Sequence, residues 1–540
     1  MLTCGEFLAS MLEAYGIDTA FGIPGTHTIE LYRGLSQTSI RHVTPRHEQG
    51  AGFMADGYAR VTGRPAACFT VSGPGAFNIA TAMGQALQDS VPMLVISADN
   101  SARQRGLGQG RLHETRNLQA AMAECSAWAH TLLCPADLPQ VLARAFAIFS
   151  SERPGPVHLT IPVDVITAPA DDVCIDPWPL PTRPAPDLRA IRSTADLLNA
   201  AQRPVLALGG GCADAAAQVV QLAEALGAPV TLTHNAKGVL PIGHPLLVVS
   251  SPSYEPVREL YREADVILGI GTEFSETDYD FFFDGQFALG GKLVRIDIDA
   301  MQLTRNVRPQ IAIRADAGMA AAALLEHITA GRSDGSARTQ AVNEALCDHN
   351  RTDYQDFLDC FQRALPGAII MADSTQPAYF AAAQYQAPSP RCFASAATGY
   401  GTLGYALPAA FGACLAMPQT PVVALIGDGG LQFTLNELST GVEAGLSVAV
   451  VVWNNRRYEM IAQNFEAAGM APIACDIHTP DFLEIARAYG CEAQRAATIA
   501  ELEEQLQRSR QCAVPTLIEV VEEDFLTAPA EAAVTGKNNG

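Results

Sequence analysis

Gly427-Asp428-Gly429-Gly430 decides the fold, read together with Asn454-Asn455 downstream. An apolar run, Val422-Val423-Ala424-Leu425-Ile426, leads into the glycines. Its hydrophobicity is continuous rather than alternating, which predicts a parallel strand buried on both faces. A helix-like stretch follows from Leu431 to Ala444, then a second apolar run, Val448 to Trp453, which delivers the two asparagines. The unit is strand, turn, helix, strand, with oxygen ligands at the carboxyl ends of both strands. A carboxylate, an amide oxygen and nearby carbonyls suit Mg2+, which prefers octahedral oxygen and shares its shell with phosphates. Glycines at a helix N-terminus expose backbone N–H groups to an anion. A GDG triplet alone would be an ordinary turn; in this order it predicts a Mg2+-diphosphate site.

With this order of motifs the chain resembles the thiamine diphosphate (ThDP) enzymes of the acetolactate synthase, pyruvate oxidase and 2-oxo acid decarboxylase superfamily, whose fingerprint is GDG followed by NN at about this spacing. The resemblance implies that Asp428, Asn455 and the backbone carbonyl of Arg457 hold the metal ion. It implies that Ser374, Thr375, Gly427, Gly429 and Gly430 meet the cofactor's diphosphate end and that Tyr458 borders the cofactor. It also implies one glutamate hydrogen-bonded to N1′ of the aminopyrimidine. The segment Thr44-Pro45-Arg46-His47-Glu48-Gln49-Gly50-Ala51, before a helix-like stretch from Gly52 to Tyr58, is similar to the family's glutamate segment and marks Glu48. Its carboxyl would protonate N1′ in a water-poor site and favour the imino tautomer that takes the proton from C2. By itself, a Glu beside a His is a solvated helix start.

Three further segments fit the resemblance. Phe21-Gly22-Ile23-Pro24-Gly25 follows a short amphipathic helix (Cys4 to Tyr15) and is similar to a turn that, in relatives, brings the next residues to the reacting carbon; here those are Thr26 and His27. Ser72-Gly73-Pro74-Gly75 precedes a helical run through Ala86. Gly401-Thr402-Leu403-Gly404-Tyr405-Ala406-Leu407-Pro408 resembles the segment under the cofactor, whose large apolar residue bends ThDP so that the amine reaches C2; Leu403 takes that place. Gly399-Tyr400-Gly401-Thr402-Leu403-Gly404 also matches GxGxxG. A dinucleotide site needs a clear strand before it and an acid about twenty positions on. Cys392 to Thr398 is a poor strand, so an NAD-dependent dehydrogenase rests on this match alone. Gly209-Gly210-Gly211, after Val205-Leu206-Ala207-Leu208, reads as a βα turn.

At 540 residues, with 48% apolar and 17% charged residues, the chain predicts several domains with large cores. The 57 acidic residues exceed the 35 basic ones, giving a net charge of −22, which argues against nucleic acid and anionic membranes as partners. Thirteen cysteines are scattered without a CxxC pair, so neither a zinc site nor a disulfide framework is supported. The start lacks a basic segment and a sustained apolar core, and no apolar run is long enough for a bilayer, which points to a reducing cytoplasm. Proline-rich residues 166–187 and the polar stretch 330–339 break the chain. Strands such as Val205–Gly209, Pro229–Thr233, Val266–Ile270 and Leu293–Ile298 alternate with helices between the breaks. The fold class is therefore α/β, three consecutive doubly wound parallel-sheet domains. The resemblance assigns 1–165 as pyrimidine-binding, 188–330 as central and 350–530 as diphosphate-binding. The tail, 535–540, reads as frayed. In such enzymes the glutamate and the metal ligands come from different subunits, which implies a homodimer at least, with a homotetramer common.

The shared first step is decarboxylation of a 2-oxo acid. Release of an aldehyde, coupling to a second oxo acid or electron transfer to a flavin then distinguishes the members. Val294-Arg295-Ile296-Asp297-Ile298-Asp299 and Asn306-Val307-Arg308-Pro309 are similar to acetolactate synthases. Gly271-Thr272-Glu273-Phe274-Ser275-Glu276-Thr277-Asp278-Tyr279-Asp280 and Ser250-Ser251-Pro252-Ser253-Tyr254 depart from the flavin-linked segments of those enzymes and argue against FAD. They resemble 5-guanidino-2-oxopentanoate (2-ketoarginine) decarboxylases of bacterial arginine catabolism, as do the segments around His27, His113 and Asp373. A guanidinium tail calls for a planar carboxylate; Glu114, Asp373 and Glu459 are the candidates. His27 and His113 are candidates to move a proton, whereas Glu273 to Asp280 reads as a turn or subunit contact. A ThDP-binding homologue without catalysis remains a further class, opposed by the intact Glu48, Asp428 and Asn455.

Overall fold

The computed structural model describes residues 2–171, 173, 175–279, 285–329, 334–347 and 352–527. Three sheets follow one another along the chain. The first has six strands in spatial order Arg41–Val43, Thr19–Gly22, Ala67–Val71, Met93–Asp99, Pro156–Pro162 and Trp128–Thr131. The central one has five: Ile311–Arg314, Lys292–Asp297, Val266–Ile270, Pro204–Leu208 and Val230–Leu232. The third has six: Phe393–Ser395, Ile369–Ala372, Val422–Gly427, Ala449–Asn454, Thr516–Val521 and Glu492–Arg495. Neighbouring strands in all three pair in parallel. The α/β class with three doubly wound sheets is thus found as expected. The first and third sheets share one strand order, and each reverses direction beside its first strand. Crevices at such switch points are where α/β sheets hold ligands.

The deciding strand is Val422–Gly427, buried at every position and paired to Ala449–Asn454 with Gly427 opposite Trp453. Asn454 closes that second strand and Asn455 lies just past it. The helix expected from Leu431 to Ala444 is instead broken into Asp428–Thr434, a 3-10 turn Leu435–Glu437, and Leu438–Glu443. Thr434 leaves helical geometry and gives its hydroxyl to the Gly404 carbonyl (2.8 Å). The break lets the buried Glu437 carboxylate receive the Arg46 N–H, 3.1 Å from each oxygen. Part of the break expected at 330–339 is also helix, Gly335–Leu346, tied to the central sheet by Arg338 donating to the Pro204 carbonyl (2.9 Å). Residues 535–540, expected to fray, lie outside the described residues.

One apolar core runs from the first sheet into the third. At its centre the helix Glu48–Thr62 crosses the helix Ala406–Ala416 with almost no separation. A Cβ at Gly57 would stand 2.0 Å from the Ala409 carbonyl oxygen, and one at Gly412 1.8 Å from that of Met54. Helix backbones meet this closely only where side chains are missing. Among the described residues, no helix is long and apolar enough to cross a membrane.

Candidate active site

The third sheet's switch point gathers the diphosphate-end candidates. Asp428 opens the helix after Val422–Gly427 and is buried, with its carboxyl facing the backbone N–H groups of Gly429, Asn455 and Arg456. Burial pushes its pKa up to about 6. Its Oδ2 is buried and has no hydrogen-bond partner among the described residues. Asn455 Oδ1 accepts the Arg457 N–H (3.2 Å), and Arg456 between them takes a left-handed conformation (φ 58°). The Tyr458 ring lies against Gly429, where a Cβ would come within 2.6 Å of it. Thr375 heads the helix Gln376–Gln384 without spending its side chain as a cap, and a Cβ at Gly427 would sit 3.2 Å from its hydroxyl. Ser374 lies between Thr375 and Asp373, and its N–H donates to Asp373 (2.7 Å).

The first sheet's switch point gathers a second group. Glu48 begins the helix Glu48–Thr62, while His47 caps that helix by accepting the Gln49 N–H at Nδ1 (3.1 Å). The Glu48 carboxylate accepts from Asn78 (2.9 Å) and lies 3.3 Å from where a Cβ at Gly75 would be. Asn78 was not singled out from sequence; its only signal is its place in the first turns of the helix opened by Gly73-Pro74-Gly75. His27 follows the exposed Thr26 in the 3-10 turn Thr26–Thr28. The His27 and His113 rings meet edge to face with centroids 5.4 Å apart, and neither Nδ1 has a partner among the described residues. His113 stands in a left-handed conformation (φ 56°), its carbonyl held by the Ser72 hydroxyl (3.2 Å). Burial, then the neighbouring His113, lowers the affinity of His27 for a proton, and Asp99 opposes the shift.

The three acids considered for a cationic substrate tail fare differently. Asp373 is fully buried, and a Cβ at Gly430 would lie 3.2 Å from its Oδ2. Its carboxyl also faces the backbone N–H groups of Gly404, Tyr405 and Ala406, and burial raises it to about 6. It stands against the glycine turn, and among the described residues its Oδ2 has no hydrogen-bond partner. Glu114 is tied to its own loop. Its carboxylate accepts the N–H groups of Gly108 (2.7 Å), Gln109 (3.3 Å) and Arg111 (3.1 Å), bonds that hold it below the usual carboxylate range. It closes its own glycine-rich loop. Glu459 is half-buried, accepts from Gln463 (3.0 Å) and sits 3.4 Å from the Arg457 guanidinium.

Leu403 lies on the loop before helix Ala406–Ala416, between Gly401 (φ 68°) and Gly404 (φ 81°). The GxGxxG match is therefore this loop, preceded only by the three-residue edge strand Phe393–Ser395. The acidic stretch after Gly271 makes contacts within the chain: Glu273 pairs with Arg153, and Asp278 accepts the His234 N–H (2.9 Å). A cavity of about 260 Å3 opens at the central sheet's switch point, lined among others by Gly210, Gly211, Asp297 and Arg391. It includes neither Glu48 nor Asp428, and the chemistry is assigned to the two switch points that carry them.

Family models with these descriptions match the chain in order: thiamine pyrophosphate enzyme, N-terminal TPP binding domain (residues 2–122), central domain (191–324) and C-terminal TPP binding domain (373–520). A probable 2-ketoarginine decarboxylase, AruI, of Pseudomonas aeruginosa is 42% identical over 528 residues, 96% of this chain and 94% of that protein. This chain belongs to the thiamine pyrophosphate enzymes. Among its other relatives, the acetolactate synthase isozyme 1 large subunit of Escherichia coli K12 is 33% identical over 99% of this chain and 97% of that protein. A probable acetolactate synthase large subunit of Methanocaldococcus jannaschii is 30% identical over 98% and 92%. The family's cofactor fits the residues present. Among the described residues the Asp428 Oδ2 lacks a partner, and it and the Asn455 amide offer oxygens of the kind a hard divalent ion takes.

Proposed function

We propose that this thiamine pyrophosphate enzyme decarboxylates 5-guanidino-2-oxopentanoate to 4-guanidinobutanal and CO2 without oxidation. The 42% identity to a probable 2-ketoarginine decarboxylase along nearly the whole chain carries this reading. When bound, thiamine diphosphate supplies the carbon that adds to the 2-oxo group and accepts the electrons released with CO2. Asp428, Asn455 and the Arg457 carbonyl hold Mg2+, while Ser374, Thr375, Gly427, Gly429, Gly430 and Tyr458 surround the diphosphate end. Glu48 hydrogen-bonds the pyrimidine nitrogen, and Asn78 fixes the carboxylate that does so. Leu403 supports the cofactor from beneath. The His27–His113 pair, with both Nδ1 atoms uncommitted, holds and delivers the proton that completes the aldehyde. Glu459 is the acid best suited to the guanidinium, because Glu114 is bonded to backbone N–H groups and Asp373 is fully buried against Gly430.

The active unit is a homodimer or homotetramer in the cytoplasm, with Glu48 of one subunit serving the cofactor held by its partner. A second reading, coupling of two 2-oxo acids, draws on the 33% identity to an acetolactate synthase. Incubating the Mg2+- and ThDP-loaded enzyme with 2-ketoarginine, pyruvate and benzoylformate, with products identified by mass spectrometry, separates the two. 4-Guanidinobutanal formed fastest supports the decarboxylase. A coupled hydroxyketone from pyruvate as the main product replaces it with the synthase.

A further inference from the structure

The loop that carries Leu403 is pinned. Gly401 and Gly404 flank Leu403, both with positive φ (68° and 81°), a conformation that glycine adopts without strain. Beyond Leu403 the Thr434 hydroxyl holds the Gly404 carbonyl (2.8 Å), and before it the loop is fixed from the first domain of the same chain. Gln85, fully buried on the helix Pro74–Gln88, spans the loop with its two amide atoms. Its Nε2 donates to the Thr398 hydroxyl (2.7 Å) and to Asp89 (2.7 Å). Its Oε1 accepts the Thr402 hydroxyl (2.8 Å) and the Thr402 N–H (3.3 Å). Thr398 also donates to Asp89 (3.0 Å), so the near end of the loop is closed by the same pair of side chains. Beyond Leu403, the Tyr405 hydroxyl donates to the buried Asp56 (2.8 Å). Arg60 neutralises Asp56 (2.6 Å) and Asp89 (2.6 Å), which makes both anchors one ion cluster. Buried, fully bonded polar groups of this kind specify one arrangement, because any displacement leaves a desolvated donor or acceptor unpaired.

We propose that Gln85 is the positioning residue for Leu403, setting the height at which that side chain meets the cofactor. This rests on the reading of Leu403 as the support beneath thiamine diphosphate. Gln85 touches neither cofactor nor substrate; it acts through Thr402, the residue before Leu403. The bend of the cofactor, and not its capture by metal and diphosphate contacts, should therefore depend on it. Exchange of the cofactor's C2 proton for deuterium reports the bend, since the proton leaves only when the pyrimidine's amino nitrogen reaches that carbon.

The test compares wild type, Gln85→Met and Thr402→Val, the last an isosteric change that removes only the hydroxyl bonded to Gln85. Affinity for thiamine diphosphate with Mg2+ is read from protein fluorescence, C2 exchange by quenched-flow NMR, and the melting temperature on apoprotein. Both variants should slow exchange about tenfold or more, a barrier increase of about 1.4 kcal/mol, while cofactor affinity stays within about threefold. Exchange at the wild-type rate in folded Thr402→Val overturns the proposal. So does a loss of affinity and melting temperature in step with the loss of exchange, which would make the role purely structural. If wild type binds the cofactor and exchanges C2 rapidly but the variants match it, the positioning role alone falls. If wild type neither binds nor exchanges, the proposed function falls, and this proposal with it.

Discussion

Gly57→Ala should damage the enzyme far from any reacting atom. The new methyl would stand 2.0 Å from the Ala409 carbonyl oxygen, where ordinary contact begins at 3.4 Å. The clash is with helix backbone, so no side chain can rotate away. Helix Glu48–Thr62 and helix Ala406–Ala416 must part by more than an ångström. A gap of that order forfeits roughly a quarter to a half of each dispersion contact along the crossing. Overpacking itself costs about 1–3 kcal/mol, and loss of the Tyr405–Asp56 hydrogen bond adds about 1 kcal/mol. The total is about 2–4 kcal/mol, the sum of overpacking and the lost hydrogen bond. Urea unfolding followed by circular dichroism reads it as an earlier first transition, and hydrogen–deuterium exchange at C2 of bound ThDP reads the displacement of Leu403 as slower proton loss. Gly469→Ala is the control: its φ is also positive (73°) but nothing lies within 4 Å, so only backbone strain of about 1–2 kcal/mol is added. A Gly57→Ala protein that unfolds at the wild-type urea concentration would refute the reasoning, because the crossing would then have slack that its distances deny.

Other consequences are as specific. His158 is buried with Nε2 on the Ser97 hydroxyl (2.8 Å), and burial pulls it from 6.5 to about 3. The unfolded chain takes up this proton below pH 6.5 and the folded one does not, so stability is lost as pH falls from 6.5 towards 3, at most about 1.4 kcal/mol per pH unit. Between pH 6.5 and 5 wild type should lose roughly 2 kcal/mol more than His158→Gln in denaturant titrations; parallel losses would remove His158 as the cause. Glu114→Gln should impair 2-ketoarginine and pyruvate turnover alike, since the carboxylate holds the loop leading to His113; a selective rise in KM for 2-ketoarginine would return it to the substrate tail. Because burial and His113 lower the proton affinity of His27, the acid-requiring limb of kcat should fall at a pH below the usual histidine range. His27→Asn should abolish that limb, and an unchanged profile would end its role in proton transfer.

The sequence was most legible where local pattern and chemistry coincide. The unbroken apolar run before Gly427 could only be a central parallel strand, and the same reading of the second run placed Asn454 and Asn455 at a strand end. Four strands of the central sheet were found to within a residue, since each is a short apolar run between turns, whereas the edge strand Ile311–Arg314 was not named. What stayed hidden depends on direction rather than pattern. An acid at a strand end reads the same whether it faces a crevice or the back of a glycine turn, and Asp373 faces the turn. An acid just after a glycine-rich loop reads as exposed, yet Glu114 folds back on its own backbone. The kink at Thr434 answers to Gly404 and Arg46, partners remote in the chain. The same holds for Asn78 at Glu48 and Gln85 at Thr402: each is a long-range hydrogen bond from a helix whose sequence shows only periodicity.

The most direct measurement is calorimetric titration of the apoprotein with thiamine diphosphate, with and without Mg2+, for wild type, Asp428→Asn and Glu48→Gln. Wild type should bind one cofactor per chain only with the metal, Asp428→Asn should lose about a hundredfold or more in affinity, and Glu48→Gln should bind but neither exchange C2 nor turn over. Binding that ignores both a chelator and Asp428→Asn, or a Glu48→Gln protein with full activity, would contradict the account.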